Sequence, residues 1–115
     1  PFKIVGGVEI SKKLISISNN NLKNENKNRL IIFNADAKDF KNYDEFNIYY
    51  FYNPFCEHIF KKVISEIVIN ASCEKLLIYN NPTCEKSVLD HGFILINEFE
   101  SQFGHGIKLY KLSVV

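Results

Sequence analysis

The stretch Phe46-Asn-Ile-Tyr-Tyr-Phe-Tyr-Asn-Pro-Phe55 decides how the rest of the chain is read. It is a nearly unbroken apolar and aromatic run, too short for a helix. Such a run predicts a strand buried on both faces, as in parallel sheets covered by helices. Pro54 lacks an N–H for the ladder and biases Asn53 toward an extended conformation. Asn53, Pro54 and Phe55 are therefore expected at the carboxyl end of this strand, where open α/β sheets bind ligands.

Working outward, Cys56 to Ala71 carries apolar residues at Ile59, Phe60, Val63, Ile64, Ile67 and Val68. Spacings of three and four predict an amphipathic helix directly after the strand. Glu74 to Tyr79 reads as the next strand, closed by Asn80-Asn81-Pro82. A short helix over Thr83 to Asp90 follows, stopped by Gly92. Phe93 to Ile96 and Ile107 to Leu112 read as an antiparallel pair at the sheet edge. On the amino-terminal side, Lys3 to Val8 reads as a short buried strand before Glu9. Ser11 is an N-cap for a helix over Lys12 to Lys23, with Leu14, Ile15, Ile17 and Leu22 on its apolar side. Arg29 to Phe33 reads as a strand running into Asn34-Ala-Asp-Ala37, and a polar connection over Lys38 to Glu45 leads back to the central run.

The order β-α-β-β-α-β-α-β-β argues for an α/β sandwich with a mostly parallel sheet. At 115 residues the chain is expected to form one domain, small for a complete doubly wound unit. Fourteen basic and thirteen acidic residues leave a net charge of +1, a balance that by itself points to neither nucleic acid nor an anionic membrane. No apolar run approaches the roughly 18–20 residues of a spanning helix. Cys56, Cys73 and Cys84 are odd in number and widely spaced, which suits a reducing compartment. These features predict a soluble, cytoplasmic protein. Pro1 as first residue and the absence of methionine lead us to expect a preceding segment.

Three predicted strands end in polar punctuation, at Glu9, Asp36 and Asn53. Their order and spacing, with the terminal hairpin, resemble the class I S-adenosylmethionine-dependent methyltransferases from that fold's second strand onward. The resemblance covers nearly the whole chain and implies a Rossmann-like three-layer sandwich that lacks its first strand and the Gly-rich loop after it. Gly6 and Gly7 precede Glu9 inside a strand and are not that loop. It further implies S-adenosylmethionine as cofactor, with Glu9, Ile10, Asp36, Ala37 and Asn53 as the residues that bind it. A carboxylate at a strand end holds a ribose diol bidentately, as in dinucleotide folds, which suits Glu9. Asp36 and the backbone near Ala37 match donor and acceptor positions on adenine. Asn53-Pro54-Phe55 is similar to the four-residue Asn/Asp-Pro-Pro-Tyr/Phe motif of amine-methylating members, one proline short, and these three residues are the catalytic set that the resemblance implies.

Plainer readings compete at each position. Glu9 near a helix N-terminus favours the helix dipole, Asp36 suits an Asx turn, and Asn53 to Phe55 suits a turn ahead of a core phenylalanine. Asn80-Asn81-Pro82 lies on the predicted rim. No metal site is expected, because Cys-x-x-Cys and helical His-x-x-x-His spacings are absent, and the thiols are expected as small buried hydrophobes. Cys56 and His58 show no orienting third group for a nucleophile pair. The predicted function is methyl transfer from S-adenosylmethionine to an unknown acceptor, by the larger, C-terminal portion of a catalytic domain whose 115 residues alone are expected to be inactive. The alternatives are a non-catalytic interaction module on the same scaffold and another Rossmann-like nucleotide binder.

Overall fold

A computed structural model of the chain describes residues 4–21, 29–52, 55–100 and 106–114. They fall into two compact units, Pro1–Phe40 and Lys41–Val115.

The first unit holds strand β1 (Val5–Glu9), helix α1 (Lys12–Asn21) and strand β2 (Leu30–Asn34). β1 and β2 pair in parallel, from Val5 opposite Leu30 to Glu9 opposite Asn34. Gly7 lies opposite Ile32, and a Cβ there would come within 3.2 Å of the Ile32 side chain. Ser11 caps α1 as its sequence predicts, its Oγ accepting from Leu14 N at 3.3 Å. Phe33 packs on the buried Phe40 with ring centroids 4.9 Å apart. Leu14 and Ile17 are exposed, so the apolar side of α1 is legible in sequence but not buried. Leu22 and Lys23, the predicted last residues of that helix, lie outside the described residues.

The second unit contains strand β3 (Ile48–Tyr52), helix α2 (Glu57–Asn70), strand β4 (Lys75–Asn80), helix α3 (Glu85–Asp90) and strands β5 (Ile94–Glu100) and β6 (Gly106–Leu112), after a 3₁₀ turn at Tyr43–Glu45. Its sheet has the order β3-β4-β6-β5. β3 and β4 are parallel, whereas β6 runs antiparallel to both β4 and β5. The terminal antiparallel pair forms as expected. The sheet is nonetheless mixed rather than mostly parallel, because β6 returns between β4 and β5 instead of extending the parallel order.

One face of this sheet carries the core. Phe60, Val63, Ile64 and Ile67 of α2 are buried, and Phe60 sits over Phe51 and Tyr79 at centroid separations of 5.4 and 4.9 Å. Burying side chains of this size contributes about 1.5–3 kcal/mol each. Alternation along β3 turns Tyr49 inward, but Ile48, Tyr50 and Tyr52 stand exposed. The expectation of a strand covered on both faces is therefore corrected: an aromatic run reads the same whether one or two faces are packed, since tyrosine tolerates water at its hydroxyl. The thiols also depart from expectation, Cys56 and Cys73 being exposed and Cys84 half-buried.

Two polar clusters pin the frame. At the amino end of the β3–β4 pair, the fully buried Lys75 donates through Nζ to the carbonyls of Phe46 at 2.7 Å and Asp44 at 3.2 Å, and meets Asp44 Oδ1 at 2.8 Å. Ser72 adds an N–H at 3.0 Å and a hydroxyl at 2.6 Å to the same carboxylate. Between α3 and β6, Glu85 Oε2 accepts from Lys108 Nζ at 2.8 Å and from the buried Tyr110 hydroxyl at 2.6 Å. Among the described residues no helix is long and apolar enough to cross a bilayer.

Candidate functional site

In the first unit the parallel pairing of β1 with β2 brings both strand ends to one edge. Glu9 is the last residue of β1 and lies opposite Asn34, so Ile10 and the Ala35-Asp36-Ala37 turn leave the sheet side by side. Asn34 locks the two exits together. Its Nδ2 donates to the carbonyls of Glu9 and Ile10, both at 3.1 Å, and Ala35 N donates to the Glu9 carbonyl at 3.1 Å. The sequence reading passed over Asn34; its signal was a carboxamide directly after a β-branched run, where a strand exit needs acceptors and donors satisfied.

The Glu9 carboxylate is half-buried, and its Oε1 accepts from Ser11 N at 3.1 Å. That is the helix-start role, and it occupies one oxygen. Oε2 has no protein donor among the described residues. Ile10 is exposed beside it. Asp36 forms the Asx turn weighed above: Oδ1 accepts from Lys38 N and Oδ2 meets Lys38 Nζ, each at 3.1 Å. The hydrogen bond to Asp36, with its charge, raises the Lys38 ammonium above its ordinary value.

In the second unit the carboxyl ends of β3 and β4 share an edge, with Tyr52 opposite Asn80. Asn53 and Pro54, two of the predicted catalytic residues, lie outside the described residues. Phe55, the third, is half-buried and packs edge-on against Phe51 at 6.4 Å. Asn80 is buried. Its Nδ2 donates to the Tyr50 hydroxyl at 3.2 Å, and its Oδ1 has no partner. Asn81 adopts the left-handed conformation at φ 55°, its N–H donating to Gly106 O at 2.9 Å, and Thr83 N donates to Asn81 O at 2.8 Å. Asparagine is among the few residues that take this backbone readily. Beneath the rim, Cys84 N donates to the Tyr79 hydroxyl at 3.2 Å, and burial pushes that phenol upward.

No protein-family model and no curated protein matches the sequence; the likeness is one of structure. The chain has a methyltransferase fold. It superimposes on an rRNA methylase from Streptococcus thermophilus with a TM-score of 0.64 at 11% identity, covering 96% of this chain and 73% of that one. The N-methyltransferase NodS from Bradyrhizobium japonicum, in complex with S-adenosyl-L-homocysteine, gives 0.68 at 11% identity over 96% of this chain and 66% of that one. Magnesium protoporphyrin IX methyltransferase from Synechocystis, with bound S-adenosylmethionine, gives 0.66 at 14% identity, over 94% and 58%.

Proposed function

We propose that this chain is the portion, from the fold's second strand onward, of one S-adenosylmethionine-dependent methyltransferase domain with a Rossmann-like three-layer arrangement. The observation that carries the proposal is the edge made by β1 and β2. A single parallel register sets Glu9 and the Asp36 turn at adjoining strand ends, on a chain whose solved structural neighbours include methyltransferases holding the cofactor or its product.

The residues fit the cofactor unequally. Glu9 offers an open oxygen, Oε2, and Ile10 an exposed apolar side chain. In this reading Glu9 takes the ribose diol and Ile10 lies against the base. Asp36 and Ala37 are assigned to the adenine edge. When bound, S-adenosylmethionine supplies a sulfonium methyl group for in-line transfer. The protein's own share is alignment, which accounts for much of the barrier lowering in such reactions. Asn53 and the Pro54 carbonyl hold the acceptor by its N–H, and Phe55 limits its plane. Phe51 backs Phe55 at 6.4 Å, which fixes that ring from below. The acceptor proton leaves to solvent, so no dedicated base is required. In this reading the protein works in the cytoplasm.

The test is a calorimetric titration of S-adenosylhomocysteine into the full-length protein and its Glu9→Gln variant. Binding with a thermal shift, weakened at least tenfold by Glu9→Gln, supports the reading. Absence of heat and of any shift at millimolar ligand would overturn it in favour of a non-catalytic module on this scaffold.

A further inference from the structure

The carboxyl edge of the β3–β4 pair carries a polar group that the fold leaves unmatched. Asn80 is only 9% exposed, and its Oδ1 is closed to solvent without a donor. Inverting the carboxamide does not help. It would set Oδ1 against the Tyr50 hydroxyl and leave the NH₂ group orphaned where the oxygen had been. Nearly all buried polar groups in folded proteins are partnered, and an orphan is costly. Ser87 Oγ is the other such atom among the described residues, and it belongs to α3 rather than to a strand end. Asn80 ends a strand on the rim where α/β sheets bind ligands.

The group is also fixed in place. Tyr52 pairs with Asn80 on the ladder, and the Asn81 turn is tied to Gly106 at 2.9 Å. Its one side-chain partner, Tyr50, is 60% exposed and brings the cluster to the surface. The Tyr50 hydroxyl accepts from Asn80 Nδ2 at 3.2 Å, and its own proton has no acceptor among the described residues. An acceptor and a donor thus stand side by side, with the exposed Tyr50 and Tyr52 rings next to them.

We propose that Asn80 Oδ1 and the Tyr50 hydroxyl read the donor–acceptor edge of a nucleobase-type heterocycle on the methyl acceptor. An N–H of the base satisfies Oδ1, an adjacent carbonyl or ring nitrogen accepts from Tyr50, and the tyrosine rings give the base a surface to stack on. Aromatic stacking combined with edge hydrogen bonds is how proteins hold unpaired bases. This inference rests on the methyl-transfer reading, since it assigns the acceptor side of the same domain.

The experiment uses full-length protein with free guanosine, adenosine and cytidine as probes and N-acetylglutamine amide as a peptide-like control. Binding is followed by ligand-observed NMR and thermal shift in the wild type, Asn80→Leu and Tyr50→Phe. At least one nucleoside is expected to bind. Asn80→Leu should weaken it roughly tenfold, the scale of losing one buried hydrogen bond, while melting at or above the wild-type temperature because an orphan is gone. Tyr50→Phe, at an exposed position, should weaken binding without altering the fold. S-adenosylhomocysteine binding should be unchanged in both variants. Nucleoside binding that is absent, or equal in all three proteins, overturns the proposal, as does preference for the glutamine amide. A wild type that binds S-adenosylhomocysteine but no nucleoside sinks this inference alone, and one that binds no S-adenosylhomocysteine sinks the methyl-transfer reading.

Discussion

Replacing Lys75 by methionine tests whether a buried ammonium holds the amino end of the β3–β4 pair. The substitution keeps the stem volume and removes the charge, so the Phe46 and Asp44 carbonyls lose the ammonium donor while the Tyr49 hydroxyl still reaches Phe46 O at 3.0 Å. Hydrogen bonds to charged groups contribute about 1.5–3 kcal/mol each. Taking the lower figure for both, because the bond to Asp44 O is long at 3.2 Å, gives a loss of about 3 kcal/mol. The Asp44 carboxylate is one-third exposed, so its ion pair adds nothing to that figure. At ~2.1 cal/mol/K per residue, a 115-residue chain has an unfolding entropy near 0.24 kcal/mol/K. The melting temperature should then fall by about 12 °C in calorimetry. The pH dependence gives a second reading. Hydrogen bonds from Lys75 first, then from Ser72, hold the Asp44 carboxyl well below the usual range. A depressed carboxyl stabilises the fold above its unfolded value near ~3.9, and that contribution is lost as pH falls through the folded value. Lys75 itself is raised: burial, the largest single influence, opposes its charge, but the hydrogen bond to Asp44 and the surrounding negative groups together outweigh it. Its contribution is present below the unfolded lysine value and lost as pH rises through the folded one. Both limbs of the stability profile should flatten in Lys75→Met. A variant as stable as the wild type, with an unchanged acid limb, would show that the ammonium's desolvation cancels its hydrogen bonds and would refute the assignment.

Tyr110→Phe should lower stability by about 1.5–3 kcal/mol, read from the urea midpoint, because it removes the buried hydroxyl that donates to Glu85 at 2.6 Å. Burial raises the phenols of Tyr49, Tyr79 and Tyr110, so alkaline difference spectra should show these three of the six tyrosines ionising only above the ordinary range; six tyrosines titrating together would contradict the packing. Ser11→Ala should cost ~1 kcal/mol through loss of the cap on Leu14 N, and Ser11→Asp should recover most of it. Phe60→Ala, which empties the contact with Phe51 and Tyr79, should cost about 3–5 kcal/mol; a loss under about 1 kcal/mol would mean that this helix does not carry the core.

The sequence alone determined the elements, because their signals are local. Three-and-four spacing from Ile59 to Val68 marks α2, the serine before Lys12 marks the cap of α1, and Asn80-Asn81-Pro82 marks the stop of β4. It also placed Glu9 at the end of β1 and Asp36 in the turn just past β2, since polar residues after an apolar run mark the exit from a strand. The tertiary structure alone decided what depends on pairing between distant segments. The return of β6 beside β4 makes the sheet mixed, and the exposure of Tyr50 and Tyr52 shows that one face of β3 is packed rather than two. Asn34 and Asn80 are visible in sequence as strand-end carboxamides but their roles are not, since a carboxamide becomes a lock or an orphan only once register fixes which carbonyls and hydroxyls lie within 3.2 Å of it. Periodicity records which way each side chain points along its own element, but partners are set by ladders closed over tens of residues, and that information is absent until the chain folds.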